Sequence, residues 1–204
     1  MANDLFGFCR RSGAFRPLSG LGFLGLDLRY SSDRNICGRN LYLGEREAWL
    51  RREAVDALGR GAMALQEGVA DMKFRLYDAT RPVSVQRQLF AAVAGTLQQA
   101  YVADPDHGSV HNYGLAVDVG LQDGDGRELD LGTPFDAFDP LAQPQLEQTF
   151  LKQGKLNASQ LKLRVLLRSS MAGGGFAQNP MEWWHFELRS MGQVRGVYPV
   201  VLGD

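Results

Sequence analysis

The chain has 204 residues, of which 45% are hydrophobic and 22% are charged, so it is neither a disordered nor a fibrous protein. Lys and Arg number 22 against 23 Asp and Glu, and the even charge makes nucleic acid an unexpected partner. No apolar run reaches the roughly 18–20 residues that span a bilayer, so we expect no membrane span.

The first third of the chain reads as an irregular segment followed by a helix. Residues 1–43 are rich in aromatic residues and glycine, which predicts an irregular N-terminal wrap with one short strand near Gly25–Tyr30. From Glu45 to Val69 apolar residues recur at helical spacing among Arg and Glu. The pattern predicts an amphipathic helix, broken near Gly59–Gly61.

The next elements are a strand and a helix separated by a loop. Phe74 and Leu76 alternate with polar residues and predict a half-buried strand that stops by Pro82, since proline cannot donate to the sheet. Ser84 is expected to cap a helix that runs to Tyr101. A second loop follows.

The last elements include the strand of greatest interest. Residues 115–120 alternate large apolar with small or acidic residues, which predicts a strand with Asp118 facing away from the apolar side. A helix is expected from about Ser159 to Met171, ended by Gly173–Gly175. The last clear strand is Trp184–Leu188.

These elements predict one α+β domain over residues 1–204. Its expected architecture is a small, mainly antiparallel central sheet flanked by helices. Composition stays even along the chain, with no repeat and no Ser- or Pro-rich linker, which favours a single domain.

The N-terminus and the cysteines bear on the compartment. Asp4 precedes any basic or apolar stretch, so no secretion signal is recognised and a cytoplasmic location is expected, or a periplasmic one if a signal has been removed. Cys9 and Cys37 lack metal-type spacing. They are interpreted as free or buried thiols, with a disulfide as the alternative.

Two of the three histidines lie in short segments that also contain a carboxylate. His111 comes just before a predicted strand that carries Asp118, and a turn at Gly114 can bring the two side chains together. With His185 as a third ligand, they form a catalytic type of zinc site whose fourth position stays open for water.

The second segment places an acid three residues before its histidine. In an extended strand Glu182 and His185 face opposite sides, so Glu182 must lie in a turn, where it can reach a metal-activated water as general base. The alternative is a core strand of Trp183, Trp184 and Phe186, with His185 as an ordinary core residue.

Both segments resemble a known pair of motifs. Ser109–Asp118 reads S-x-H-x-x-G-x-A-x-D and Glu182–His185 reads E-x-W-H, as in the D-alanyl-D-alanine dipeptidase family of zinc peptidases. Asp78–Pro82 resembles the D-x-x-R-P segment of that family. Further similar stretches are Asp27–Gly38 and Gly132–Asp136, so the resemblance runs from about residue 25 to the C-terminus.

The resemblance implies a role for each matching residue: His111, Asp118 and His185 bind one Zn²⁺ per chain, Glu182 is the catalytic base, Arg81 stabilises the oxyanion and Ser109 holds the substrate. Taken without the family, Arg81 reads as a surface arginine before a helix. Ser109 reads as a loop hydroxyl bonded to its own backbone. His107 is expected to be solvated.

The predicted function is hydrolysis of D-alanyl-D-alanine to two D-alanines by a zinc-dependent dipeptidase. The alternatives are a D,D- or L,D-carboxypeptidase acting on longer cell-wall peptides, and a non-catalytic metal-binding module. A dipeptide needs a closed pocket, and its expected walls are the N-terminal wrap and Gly120–Gln143. The chain departs from the family at Thr80, where an aromatic is usual, and after Asp136, where the Ser-His of many relatives is missing.

Overall fold

Strands and helices are interspersed along the chain, and the computed structural model describes residues 4–203. The helices are α1 Gly7–Arg11, α2 Arg52–Gly68, α3 Val83–Val93, α4 Glu147–Lys152, α5 Ala158–Gly174 and α6 Met191–Val194. The strands are β1 Phe15–Pro17, β2 Leu24–Leu26, β3 Trp49–Arg51, β4 Lys73–Asp78, β5 Ala116–Gln122, β6 Ala177–Gln178 and β7 His185–Glu187. Among the described residues no helix is long and apolar enough to cross a membrane.

The central sheet has five strands in the order β2-β4-β5-β7-β6. Only β2 and β4 run parallel, and the other three pairs are antiparallel. The α+β class and the mainly antiparallel sheet are therefore confirmed.

Strand β5 lies in the middle of this sheet, and every one of its residues from Ala116 to Gln122 is buried. The alternation of side chains was predicted correctly, but the face that carries Asp118 is not solvated, since Asp118 is only 2% exposed. That face is the floor of a cleft, which the sequence pattern alone does not distinguish from an exposed polar face.

The helix predicted over Glu45–Val69 is wrong in its first residues. Trp49–Arg51 form β3, which pairs antiparallel with β1 in a separate two-stranded sheet. Trp49 also accepts the backbone N–H of Thr80 through its carbonyl, at 3.1 Å. These partners are far away in the sequence, so the local helical spacing could not reveal them.

The break expected near Gly59–Gly61 does not occur, and α2 is continuous. It packs closely along α5, where a Cβ on Gly174 would stand 2.4 Å from the carbonyl oxygen of Ala57. The small residues thus serve close helix packing. For the same reason α5 runs through Gly173 and Gly174, and Gly175 ends it with a positive φ of 95°.

Ser84 does not cap α3, and α3 does not reach Tyr101. The helix begins at Val83, and the backbone N–H groups of Val83 and Ser84 donate to the carbonyls of Val201 and Leu202, both at 2.9 Å. The C-terminal segment therefore satisfies the helix start that the serine was expected to satisfy. Tyr101 ends a separate 3₁₀ turn that begins at Leu97.

The N-terminal wrap is more regular than predicted. Within residues 4–43 it contains α1, β1, β2 and a 3₁₀ turn at Arg29–Ser31, so the strand expected over Gly25–Tyr30 covers only part of that range. Cys9 and Cys37 are both free thiols, as interpreted from the sequence.

Candidate metal centre and cleft

Three neighbouring strands bring the candidate ligands to one place. In the register of the sheet Asp78 of β4 lies opposite Asp118 of β5, and Asp118 lies opposite His185 of β7. Residues directly opposite one another in a sheet project their side chains from the same face. His111 comes from the 3₁₀ turn Val110–Tyr113, immediately before β5.

The three donor atoms form a compact triangle. His111 Nε2 lies 3.0 Å from His185 Nδ1 and 3.3 Å from Asp118 Oδ1, and His185 Nδ1 lies 2.9 Å from the same oxygen. Tetrahedral zinc with bonds of about 2.0–2.1 Å separates its ligand atoms by about 3.3 Å. The triangle therefore fits a metal ion of this kind, and all three residues are buried.

The outer nitrogens of both imidazoles are engaged. His111 Nδ1 lies 2.6 Å from the carbonyl oxygen of Ala79, and His185 Nε2 lies 3.2 Å from Glu187 Oε1. An N–H donated to these oxygens leaves the inward nitrogens with free lone pairs. Each ring is thus oriented as a metal ligand requires.

The ionisation of the donors suits a cation. Burial raises the pKa of Asp118, but His111 and His185 lower it by more, so that the pKa lies well below its usual range. Burial lowers the pKa of His185, and hydrogen bonds to Asp118 and Glu187 outweigh it and raise the pKa to about 10. A cation bound between these groups displaces that proton.

The turn that presents His111 is built by its neighbours. Ser109 caps it, with Oγ accepting the backbone N–H of His111 at 3.3 Å. Asn112 Nδ2 donates to the carbonyl of Arg81 at 2.7 Å. Gly114 closes the turn with a φ of 72°, and a Cβ there would stand 2.5 Å from the ring of Phe15.

Ser109 therefore makes the local bond considered as the alternative in the sequence analysis. It also lines the cleft in front of the metal donors. Because Oγ is an acceptor in the cap, its O–H remains able to donate to a bound molecule.

Arg81 is not a surface residue. Its Nε donates to Asp78 at 2.7 Å, Nη1 donates to Gln86 at 3.0 Å and Nη2 donates to Asp118 at 3.1 Å. The guanidinium carries more N–H groups than these three bonds use, and Arg81 lines the cleft. A fixed positive charge therefore stands beside the metal donors.

Glu182 lies in the turn before β7, as predicted, and is only 7% exposed. Burial raises the pKa of its carboxyl to about 8; His185 and Arg81 lower the pKa, while Asp118 and Asp136 raise it. Glu182 lines the same cleft as the metal donors. A carboxyl with such a pKa can exchange a proton near neutral pH.

The cleft itself has a volume of about 140 Å³. Its walls include residues that were not named individually in the sequence analysis, which are Tyr30, Tyr101, Asp136, Phe138, Asn179, Glu187 and Met191. Of the two expected walls, the N-terminal wrap contributes Tyr30 and the segment Gly120–Gln143 contributes Asp136 and Phe138. His107 stays outside, with its side chain 78% exposed.

Asp136 is the most notable of the residues missed. It has a positive φ of 59°, and its carboxylate accepts the hydroxyl of Tyr30 at 3.2 Å. Loss of contact with water raises its pKa to about 7, against the lowering effect of Arg81. The available signals were its place in the expected wall Gly120–Gln143 and in the family-like stretch ending in Phe135–Asp136.

These features together are typical of a metal-dependent hydrolase: a candidate three-ligand donor set, a buried carboxyl and a cation line one small cleft. The family model described as D-ala-D-ala dipeptidase matches residues 21–200. The D-alanyl-D-alanine dipeptidase of Escherichia coli (strain K12) is 33% identical over 172 residues, covering 81% of this chain and 79% of that protein. That of Synechocystis sp. is 26% identical over 175 residues, covering 71% of each.

The chain therefore belongs to the D-ala-D-ala dipeptidase family, whose members are metallopeptidases. The resemblance drawn from the two motifs is confirmed.

Proposed function

We propose that this protein is a zinc-dependent dipeptidase that hydrolyses D-alanyl-D-alanine to two D-alanines. The observation that carries the proposal is the triangle of His111, Asp118 and His185 donor atoms in one buried cleft with Glu182. The family and the names of both relatives support the same substrate.

His111, Asp118 and His185 are the proposed ligands of one zinc ion per chain. Two imidazoles and a carboxylate, without cysteine, are typical of a catalytic rather than a structural zinc site. When bound, the ion supplies a Lewis acid that polarises the scissile carbonyl and makes water a better nucleophile at neutral pH.

Glu182 is the proposed general base and acid. It takes a proton from the attacking water as the new C–O bond forms, and it delivers that proton to the leaving nitrogen as the C–N bond breaks. Its buried position in the cleft that holds the proposed metal donors supports both steps.

Arg81 and Ser109 are the proposed contacts of the substrate. The guanidinium is held rigidly by Asp78, Gln86 and Asp118, so its remaining N–H groups are preorganised for the oxygen that becomes negative. The Ser109 O–H faces the cleft next to the metal donors and can hold the substrate by a hydrogen bond.

The size of the cleft favours a dipeptide over the longer cell-wall peptides of the carboxypeptidase alternative. Sites for drug-sized ligands have volumes of about 300–1,000 Å³, whereas this cleft has about 140 Å³. The buried acid/base carboxyl argues against the second alternative, a non-catalytic metal-binding module, because a structural site has no use for it.

The experiment that tests the proposal measures zinc content together with release of free D-alanine from D-Ala-D-Ala, and uses L-Ala-L-Ala as the stereochemical control. The expected result is about one zinc per chain and turnover of the D,D substrate only. Zinc without release of D-alanine would overturn the assigned substrate. Release of D-alanine from protein freed of metal by a chelator would overturn the assigned cofactor.

A further inference from the structure

Two aromatic rings from separate parts of the chain stack in the wall of the cleft. The ring centroids of Tyr101 and Phe138 are 5.3 Å apart and the ring planes differ by 16°. Tyr101 ends the 3₁₀ turn after α3, whereas Phe138 belongs to the irregular segment between β5 and α4. The stack therefore joins two walls that no strand or helix connects directly.

The tyrosine ring is fixed by a buried side chain. Gln143 Nε2 donates to the Tyr101 hydroxyl at 3.0 Å, and Gln143 is only 8% exposed. Gln143 lies on the same segment as Phe138, so this bond ties the two walls together a second time.

The backbone that carries Phe138 is held by a tight turn. The backbone N–H of Phe138 donates to the carbonyl of Asp136 at 3.0 Å, and Asp139 Oδ1 accepts the backbone N–H of Leu141 at 2.7 Å. Phe138 therefore keeps a set distance from Asp136, whose carboxylate faces the cleft. The same stretch departs from the family pattern in this sequence.

The chemistry of the substrate indicates what such a wall does. Longer wall peptides that end in D-Ala-D-Ala continue only from the nitrogen that is a free ammonium in the dipeptide. The additional residues carry peptide N–H and C=O groups, which cost free energy when they lose water without gaining a hydrogen bond. The two rings offer an extending backbone mainly apolar carbon, and the one polar group of the pair, the Tyr101 hydroxyl, is already bonded to Gln143, so only weak contacts are gained in return.

We propose that the Tyr101–Phe138 stack sets the maximum length of the substrate, by closing the cleft against any extension beyond the amino end of the dipeptide. This inference rests on the proposed function, because it concerns the same reaction at the same site. It assigns to the pair a role in specificity, separate from the bond-breaking step.

The test compares two substrates with the zinc-loaded full chain: free D-Ala-D-Ala, and the same dipeptide with an acetyl-D-alanyl group on its nitrogen. Release of D-alanine gives kcat/KM for each. The measured ratio is kcat/KM for the extended substrate divided by kcat/KM for the free dipeptide. In Phe138→Ala and in Tyr101→Ala we expect this ratio to rise about tenfold or more over wild type, the size typical of opening an apolar pocket. Leu97→Ala, in the same turn as Tyr101 but 95% exposed, is the matched control with an unchanged ratio.

Phe138→Leu is the conservative variant, included in case Phe138→Ala does not fold. Leucine keeps an apolar side chain but removes the flat ring. It is expected to raise the ratio by a smaller factor than alanine. A ratio that stays at the wild-type value in Phe138→Leu and Tyr101→Ala, while both still hydrolyse the dipeptide, would overturn the inference. So would a parallel loss of both activities in all three variants. Failure of the wild type on the free dipeptide counts against the proposed function instead.

Discussion

The two halves of the cleft are built in different ways. The proposed metal donors and Arg81 come from adjacent strands and from the short connections at the ends of those strands. The opposite wall, with Asp136 and Phe138, lies in the irregular segment between Gln122 and Glu147. Strand register fixes the relative positions of residues in the first half, while the second depends on individual side-chain bonds.

The difference separates the chemistry of the site from its selectivity. A metal ion tolerates little error in ligand position, and the antiparallel pairing of Asp118 with His185 provides that accuracy. A cleft wall can vary more freely, because loops accept changes that a central strand does not. We therefore expect substitutions in the first half to abolish reaction, and those in the second to change stability or substrate range.

The largest effect on activity is expected from a substitution at His185, in the half of the cleft that the strands carry. His185→Ala removes one of the three proposed ligands, so zinc content should fall well below one per chain and kcat should become too small to measure. Metal analysis after gel filtration checks this expectation. The matched variant is Glu182→Ala, which should retain zinc while kcat falls by about 10²–10⁴-fold. Full zinc and full activity in either variant would contradict the assigned roles.

The next largest effect is expected at Arg81. Arg81→Lys keeps the positive charge, but one ammonium cannot bond Asp78, Gln86 and Asp118 while also facing the substrate. We expect kcat to fall by about 10²-fold or more, the size typical of losing one oxyanion donor, with only a modest change in KM.

Steady-state kinetics on D-Ala-D-Ala separate the two parameters, and Arg87→Lys on the exposed side of α3 serves as the control. An unaltered kcat in Arg81→Lys would rule out the oxyanion role.

A third prediction concerns what holds the irregular half in place. Arg164 of α5 is fully buried, and it donates from Nε to the carbonyl of Leu131 at 2.6 Å and from Nη1 to that of Leu141 at 3.0 Å. These two carbonyls lie at either end of the stretch that carries Asp136 and Phe138. Arg164→Met leaves both without a charged donor, and we expect a loss of about 2 kcal/mol.

For a chain of this size that loss lowers Tm by about 4–8 °C, and thermal melting checks it. Arg168→Met is the control. Arg168, like Arg164, pairs with Glu147, but its side chain is 35% exposed and bonds neither the Leu131 nor the Leu141 carbonyl. Equal melting temperatures for Arg164→Met and wild type would show that the bonds from Arg164 to the carbonyls of Leu131 and Leu141 do not contribute to stability.

The sequence was informative where structure is decided locally. The strand of Asp118, the turn at Gly114 and the turn that holds Glu182 all follow from short-range patterns, and each was predicted. Trp49 was misassigned because its strand partner in β1 lies more than 30 residues away. Ser84 was misassigned because the C-terminal segment, not its own hydroxyl, satisfies the start of α3.

The segment Gly120–Gln143 was expected to form a wall of the cleft, but the individual residues that face the site were not predicted, for the same reason. Asp136 and Phe138 face the site only because the segment is folded back by Arg164 and by the turn at Asp139. None of these contacts produces a periodic pattern. The proposed metal ligands could be named from the sequence because their spacing carries the motif, whereas the position of the individual wall residues is a product of tertiary packing.

The smallest expected effect is on the pH dependence of stability, and it concerns Glu182. Burial raises the pKa of Glu182 to about 8 from an ordinary 4.5. Between these two pH values the folded chain therefore keeps this proton, while the unfolded chain has lost it. The stability from this group is fully present below pH 4.5, declines as pH rises and is gone above pH 8.

In metal-free protein at pH 8.5, Glu182→Gln removes the cost of a buried charge. We expect the free energy of unfolding to rise by at least about 1 kcal/mol, or Tm by about 3 °C. At pH 4.5 the gain should vanish, and Glu67→Gln, an exposed position on α2, should show no gain at either pH. A Glu182→Gln gain of equal size at both pH values would show that packing, and not the charge, limits stability at this position.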